Sequence, residues 1–298
     1  MIVPGKLLLA VILFFALNFA VSIPLAVIAA VIGARTDTGT NQSGGAEAAD
    51  LAAVLAGSPE LQTVALSLSS ATAIVSAALM YFLLERRYTW PLGWRQRSWF
   101  RNGLIGLAIG AALISVGFLL LLLLGGLTVT RIALTPETAY AVGLNLIMFI
   151  VVAFSEEIFS RGYVYGLVKH RYGIAAATIV SSLLFAWLHS MNASVFSTVF
   201  PMLNLFLAGV MLALMREASG GLWLPIGVHI TWNFFQGNVF GMPVSGVHTE
   251  SIIQTDIVHT WIAGGNFGFE GSFIDTLLTL AVCASLIRIL VKRNTPYE

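Results

Sequence analysis

The chain alternates between long apolar runs and short polar breaks. The runs are Leu7–Gly33, Leu61–Leu84, Gly103–Leu127, Ala139–Val168, Gly173–Ser190, Phe196–Met215, Gly221–Phe240 and Ser272–Val291. A helix needs about 20 apolar residues to cross the hydrocarbon core of a bilayer. The runs are continuous and do not alternate with a period of two, so they predict helices and not the strands of a membrane barrel. The expected fold is an all-α polytopic transmembrane bundle of about eight spans. Lys6 ahead of the first run resembles the start of a signal peptide. That run, however, is far longer than a signal core of about 7–15 residues, and no small-x-small site closes it, so it is expected to stay as a span.

The polar breaks set the orientation. With the N-terminus in the cytoplasm and eight spans threaded in turn, every Lys and Arg except Arg35 and Arg131 falls on the inner side. This is the charge bias that orients membrane proteins, and it places both termini in the cytoplasm. The break Ala34–Glu60, rich in Gly, Ser, Thr and Ala, is expected to be flexible. The inner loop Glu85–Asn102 mixes arginines with Tyr88, Trp90, Trp94, Trp99 and Phe100 and is expected to lie on the membrane surface. The outer loop Gly241–Gly271 holds His248, Glu250, Asp256, His259 and Glu270 at spacings that match no metal-ligand pattern, and these are expected to be solvated. Three regions follow: 1–138 with three spans and the inner loop, 139–240 as a four-span core, and 241–298 with the outer loop and last span. No internal repeat suggests the two-fold architecture of many transporters.

Composition agrees. At 298 residues the length alone would suggest two soluble domains. The hydrophobic fraction is 58% and the charged fraction 10%, against about 45–50% and about 25% in globular chains. So few charges cannot cover a soluble surface. The net charge of +1 provides no basic field for phosphates, so no nucleic-acid partner is expected. The single cysteine, Cys283, excludes a disulfide framework and a cysteine-rich metal site.

With charge so scarce, ionisable residues inside spans stand out, because each costs a few kcal/mol or more in a bilayer. They are Glu156, Glu157 and Arg161 in the fourth run, His189 at the end of the fifth, and His229 in the seventh, while Asp275 and Arg288 lie near the ends of the eighth and are expected to reach water. Glu157 and Arg161 stand at i and i+4 and can pair, which leaves Glu156 uncompensated about 100° round the helix. Phe185 and His189 share a face at the same spacing, as do His229 and Asn233. The fourth and fifth runs form a hairpin turning near Tyr172–Gly173. Glu156 and His189 each lie 16 or 17 residues from that turn, so both rise about 25 Å and meet at one level. His229 and Asn233 complete a polar intramembrane cavity.

A glutamate in an apolar pocket suits a general base, and a neighbouring imidazole can hold water. A second imidazole and a carboxamide can stabilise an oxyanion. The set fits amide hydrolysis by water, with Glu156, His189, His229 and Asn233 catalytic and Glu157 and Arg161 supporting. No metal is favoured. The alternative is zinc on Glu156, His189 and His229, although the HExxH pattern is absent. A proton-coupled transporter and a non-catalytic scaffold or immunity protein are the rival functions.

In order, the motifs are EExxxR (Glu156, Glu157, Arg161, then Gly162), FxxxH (Phe185, His189) and HxxxN (His229, Asn233), the last preceded by Leu222-Trp223-Leu224-Pro225. Over 139–240 the chain resembles the CPBP family of intramembrane proteases, which includes the type II CAAX prenyl endopeptidases and bacterial relatives linked to bacteriocin processing and immunity. The resemblance implies a glutamate-dependent endopeptidase in which Glu156 and His189 activate water, His229 and Asn233 form the oxyanion hole, and Glu157 and Arg161 hold the geometry. It also implies a peptide or membrane-protein substrate in the bilayer, and a bacterial plasma membrane as the location.

Overall fold

The computed structural model describes residues 2–36, 58–87 and 90–294. Helix α1 (Val3–Thr36) is followed by α2 (Pro59–Met80), which ends in a π-helical turn, Tyr81–Glu85. Next come α3 (Trp99–Leu123), strand β1 (Leu127–Ile132) and α4 (Pro136–Glu156). A π-helical stretch, Glu157–Val164, joins α4 to α5 (Tyr165–Leu188). Helix α6 (Phe200–Ser219) leads to α7 (Trp223–Phe234), which is prolonged by a π turn to Val239. Strand β2 (Ile253–Ile257), the short α8 (Thr260–Ala263) and α9 (Phe273–Asn294) complete the chain.

Local chemistry sets the helix ends. The Ser58 hydroxyl accepts from the Leu61 N–H and the Thr135 hydroxyl from the Thr138 N–H, each followed by a proline that has no N–H to leave unpaired. Helix α6 stops at Gly220, whose φ of 77° is left-handed.

The molecule is an all-α membrane bundle with one small sheet. Among the described residues six helices are long and apolar enough to cross a membrane, and one of them, Pro136–Leu188, spans 53 residues. That helix breaks at Gly173, where φ is 85° and ψ is 179°. The break accommodates both the fourth and fifth apolar runs, because the chain doubles back there. The seventh run forms α7 and its π turn. Strands β1 and β2 pair antiparallel outside the spans, Leu127 opposite Ile257 and Ile132 opposite Ile253. The flexible stretch expected between the first two runs falls, over 37–57, outside the described residues, as does Tyr88.

Helix α7 lies directly against α3. A Cβ on Gly106 would meet the Leu224 carbonyl, and one on Gly110 would meet the Val228 carbonyl, so the two backbones touch through glycine. Small residues at such crossings are the usual means of close helix packing in membranes. Thr231 seals the contact by donating to Leu107 O at 2.9 Å. Helix α1 is tied to α2 by Ser76, which donates to Ala10 O at 2.9 Å, and by a Lys6–Glu85 ion pair.

The basic-aromatic loop does more than lie on the membrane. Trp90 is buried between Tyr81 and Tyr163, and its ring fills the space left by the missing side chain of Gly166. Arg216 donates to the carbonyls of Pro91 and Leu92. Trp94, Trp99 and Phe100 remain exposed, as an interfacial belt requires.

Candidate active site

The site is built where the π-helical stretch opens the α4–α5 helix. Such π insertions are rare and cluster at functional positions. Here the stretch starts at Glu157, immediately after Glu156. Consecutive side chains on a helix diverge by about 100°, and the ring of His229 fits between these two. Its Nδ1 lies 3.0 Å from Glu157 Oε1, and its Nε2 lies 3.7 Å from Glu156 Oε2.

Glu157 is fully buried and doubly engaged. Its Oε1 also accepts from Arg161 Nη1 at 2.9 Å. Arg161 is fully buried as well, and its guanidinium sits 4.2 Å over the ring of Phe185. A buried cation is thus held by a carboxylate and an aromatic face.

His189 caps the end of α5. Its Nδ1 donates to Phe185 O at 2.8 Å, since a carbonyl can only accept. In the neutral ring this leaves Nε2 as an acceptor, 3.8 Å from Glu156 Oε2. Glu156 Oε2 is shielded from solvent and has no hydrogen-bond partner among the described residues. In a straight helix Glu156 and His189 would be about 50 Å apart. Their contact shows that the chain reverses at Gly173, at the level the sequence implied.

Glu156, His189, His229 and Asn233 line one cavity of about 310 Å³. Its apolar wall includes Phe14 of α1, Leu66 and Ala73 of α2, and Met148 and Val152 of α4. All six residues singled out in the sequence are therefore in or directly behind one site. Among the described residues no group of three or more His, Cys, Asp or Glu side chains is arranged to hold a metal ion.

Residues 138–235 match the family model described as type II CAAX prenyl endopeptidase, Rce1-like. This segment is an Rce1-like domain. No curated protein matches the chain. The Rce1-like domain holds all three motifs, from Glu156 to Asn233. The match over residues 138–235 supports a CAAX-protease-like intramembrane endopeptidase at the level of the family, a class whose substrates are peptides or proteins, and with the long apolar helices it supports an integral membrane protein.

Three features of the site were not read from the sequence. The Glu157–His229 bond joins residues 72 positions apart, with no local signal. The Phe185–Arg161 stack was hidden because Phe185 had been noted only as a neighbour of His189. The third is Glu270, which lies outside the Rce1-like domain. It had been expected in solvent. His248, Glu250, Asp256 and His259 of the same loop are exposed, but Glu270 turns inward and lines the cavity. Burial raises its pKa above the ordinary carboxylate value, opposed by hydrogen bonding from Ser245 and by the charges of His189 and His229.

Proposed function

We propose that the chain hydrolyses a peptide bond within the membrane by glutamate-activated water. The observation that carries this reading is the convergence of Glu156 Oε2 with the Nε2 atoms of His189 and His229, at 3.8 and 3.7 Å, in a cavity that Asn233 also lines.

Glu156 Oε2 and His189 Nε2 are both acceptors. A water within reach of the two donates both its hydrogens and turns a lone pair outward for attack. Glu156 then takes the proton as general base. His229 must present an N–H to the developing oxyanion. Its Nδ1 already donates to Glu157, so an Nε2–H requires the doubly protonated ring. Glu157 supplies the adjacent charge for that form. Arg161 and the imidazolium then balance Glu156 and Glu157, and the buried set is neutral overall. Asn233 supplies the second donor. As the tetrahedral intermediate collapses, Glu156 gives its proton to the amide nitrogen, so that the C–N bond breaks with a neutral amine leaving. The inward bias of the basic residues supports a cytoplasmic side for the termini and the basic loop. The substrate is a peptide segment that enters from the bilayer, with or without a lipid modification.

The test is a reconstituted protein challenged with peptide mixtures, with products read by mass spectrometry. Wild type cuts, and Glu156→Gln does not, although it folds. Equal cleavage by a folded Glu156→Gln variant would remove Glu156 from its role.

A further inference from the structure

Glu270 is held with more care than a loop carboxylate needs. It lies in the turn Phe269–Gly271, which is anchored by the fully buried rings of Phe267 and Phe269. The Phe269 ring occupies the space left by Gly117 of α3. The backbone carbonyl of Glu270 accepts from Asn204 Nδ2 of α6 at 2.8 Å. Asn204 is itself fixed, donating to Ser272 O and accepting from Thr276. The side chain is pinned too. Oε2 accepts from both the N–H and the hydroxyl of Ser245, each at 2.7 Å. Among the described residues Oε1 has no such partner, and Glu270 lines the cavity.

The charge balance of that cavity is one-sided. Its lining contains two carboxylates, Glu156 and Glu270, and among the described residues no lysine or arginine, so two carboxylates face the single His229 imidazolium. Arg161 stands behind the wall and is taken by Glu157. His229 is engaged by Glu157 at 3.0 Å and lies 3.7 Å from Glu156, so Glu270 only shares its charge. A desolvated carboxylate that shares its counter-charge gains from a cation that arrives with the ligand.

We infer that Glu270 forms a subsite that receives a cationic group of the substrate, a lysine or arginine side chain or a free amine, beside the hydrolytic centre. The inference rests on the hydrolytic reading for its biological meaning, but its binding chemistry is tested separately.

The full-length protein in neutral detergent is titrated with n-hexylamine and with n-hexanol, two probes that share an apolar tail and differ in charge. Binding is read by thermal stabilisation. The amine should bind wild type about tenfold or more tightly than the alcohol, the strength expected of one charge-assisted hydrogen bond. Glu156→Gln should retain most of that preference, Glu270→Asp should keep part of it, and Glu270→Gln should lose it. No preference in wild type, or a preference that survives Glu270→Gln, would overturn the subsite, and the wild-type measurement stands even if a variant fails to fold. In the peptide-mixture assay, Glu270→Gln should still cut, with Lys and Arg depleted around the cleaved bonds relative to wild type. An unchanged distribution would also overturn it. Continued cleavage by Glu156→Gln would instead count against the hydrolytic reading and leave the amine result to decide Glu270.

Discussion

Glu156 and Glu157 are neighbours in sequence with opposite surroundings. Glu157 is fully enclosed by Arg161 and His229, whereas Glu156 reaches the cavity. Their replacements should separate function from stability. Glu156→Gln should lower hydrolysis by about 10²–10⁴, the usual share of a general base, while the thermal midpoint stays near that of wild type. Glu157→Ala should destabilise by about 3–5 kcal/mol, because it strands a buried guanidinium. A denaturation titration of the purified protein checks this, and activity should fall as well through the loss of the His229 Nδ1 partner. Asn233→Ala should cost about 10²–10³ in turnover with little change in stability if the carboxamide serves the oxyanion. A large KM change at constant kcat would instead place Asn233 in substrate binding.

At the scale of elements, the site depends on a helix crossing that contributes none of its chemistry. Helix α7 carries His229 and Asn233, and its position is set by glycine contacts with α3. Gly110→Val should force the backbones apart, destabilise the protein and lower activity by moving His229 away from Glu157. Gly103→Ala on the same helix meets nothing within 4 Å, so it should be neutral or stabilising by up to about 1 kcal/mol. Equal effects from the two substitutions would show that the crossing is not the constraint. The sequence displayed these glycines within an apolar run, but no pattern along one helix names the partner that a glycine admits.

At the scale of the whole molecule, the basic residues and the in-span charges divide the labour. The former orient the bundle and the latter build the cavity. With Lys169 on the cytoplasmic side, a cysteine placed there should react with an impermeant maleimide only when the inner face is open. Labelling from outside would invert the proposed orientation. The helical spans, the hairpin at Gly173 and the grouping of Glu156 with His189 were legible because they follow from hydropathy, from the rise per residue and from equal distances to one turn. His229 could be grouped with them by residue type and motif, but no distance to a shared turn sets its level. The docking of Trp90, the β1–β2 pair and the inward turn of Glu270 were not legible.

The sequence by itself determined that the chain is a membrane bundle and singled out Glu156, Glu157, Arg161, His189 and His229 within it, because the cost of desolvating a charge in an apolar run is a local property, but it did not single out the buried Glu85, Arg216 and Asp275. Only the tertiary structure decided that the His229 ring sits between two consecutive glutamates, that Phe185 covers Arg161, and that a loop residue from beyond the Rce1-like domain enters the cavity. Those contacts join residues far apart in the chain. They depend on tilt, on side-chain rotation and on the close approach allowed at Gly106, Gly110 and Gly117, none of which has a period that a single sequence can show.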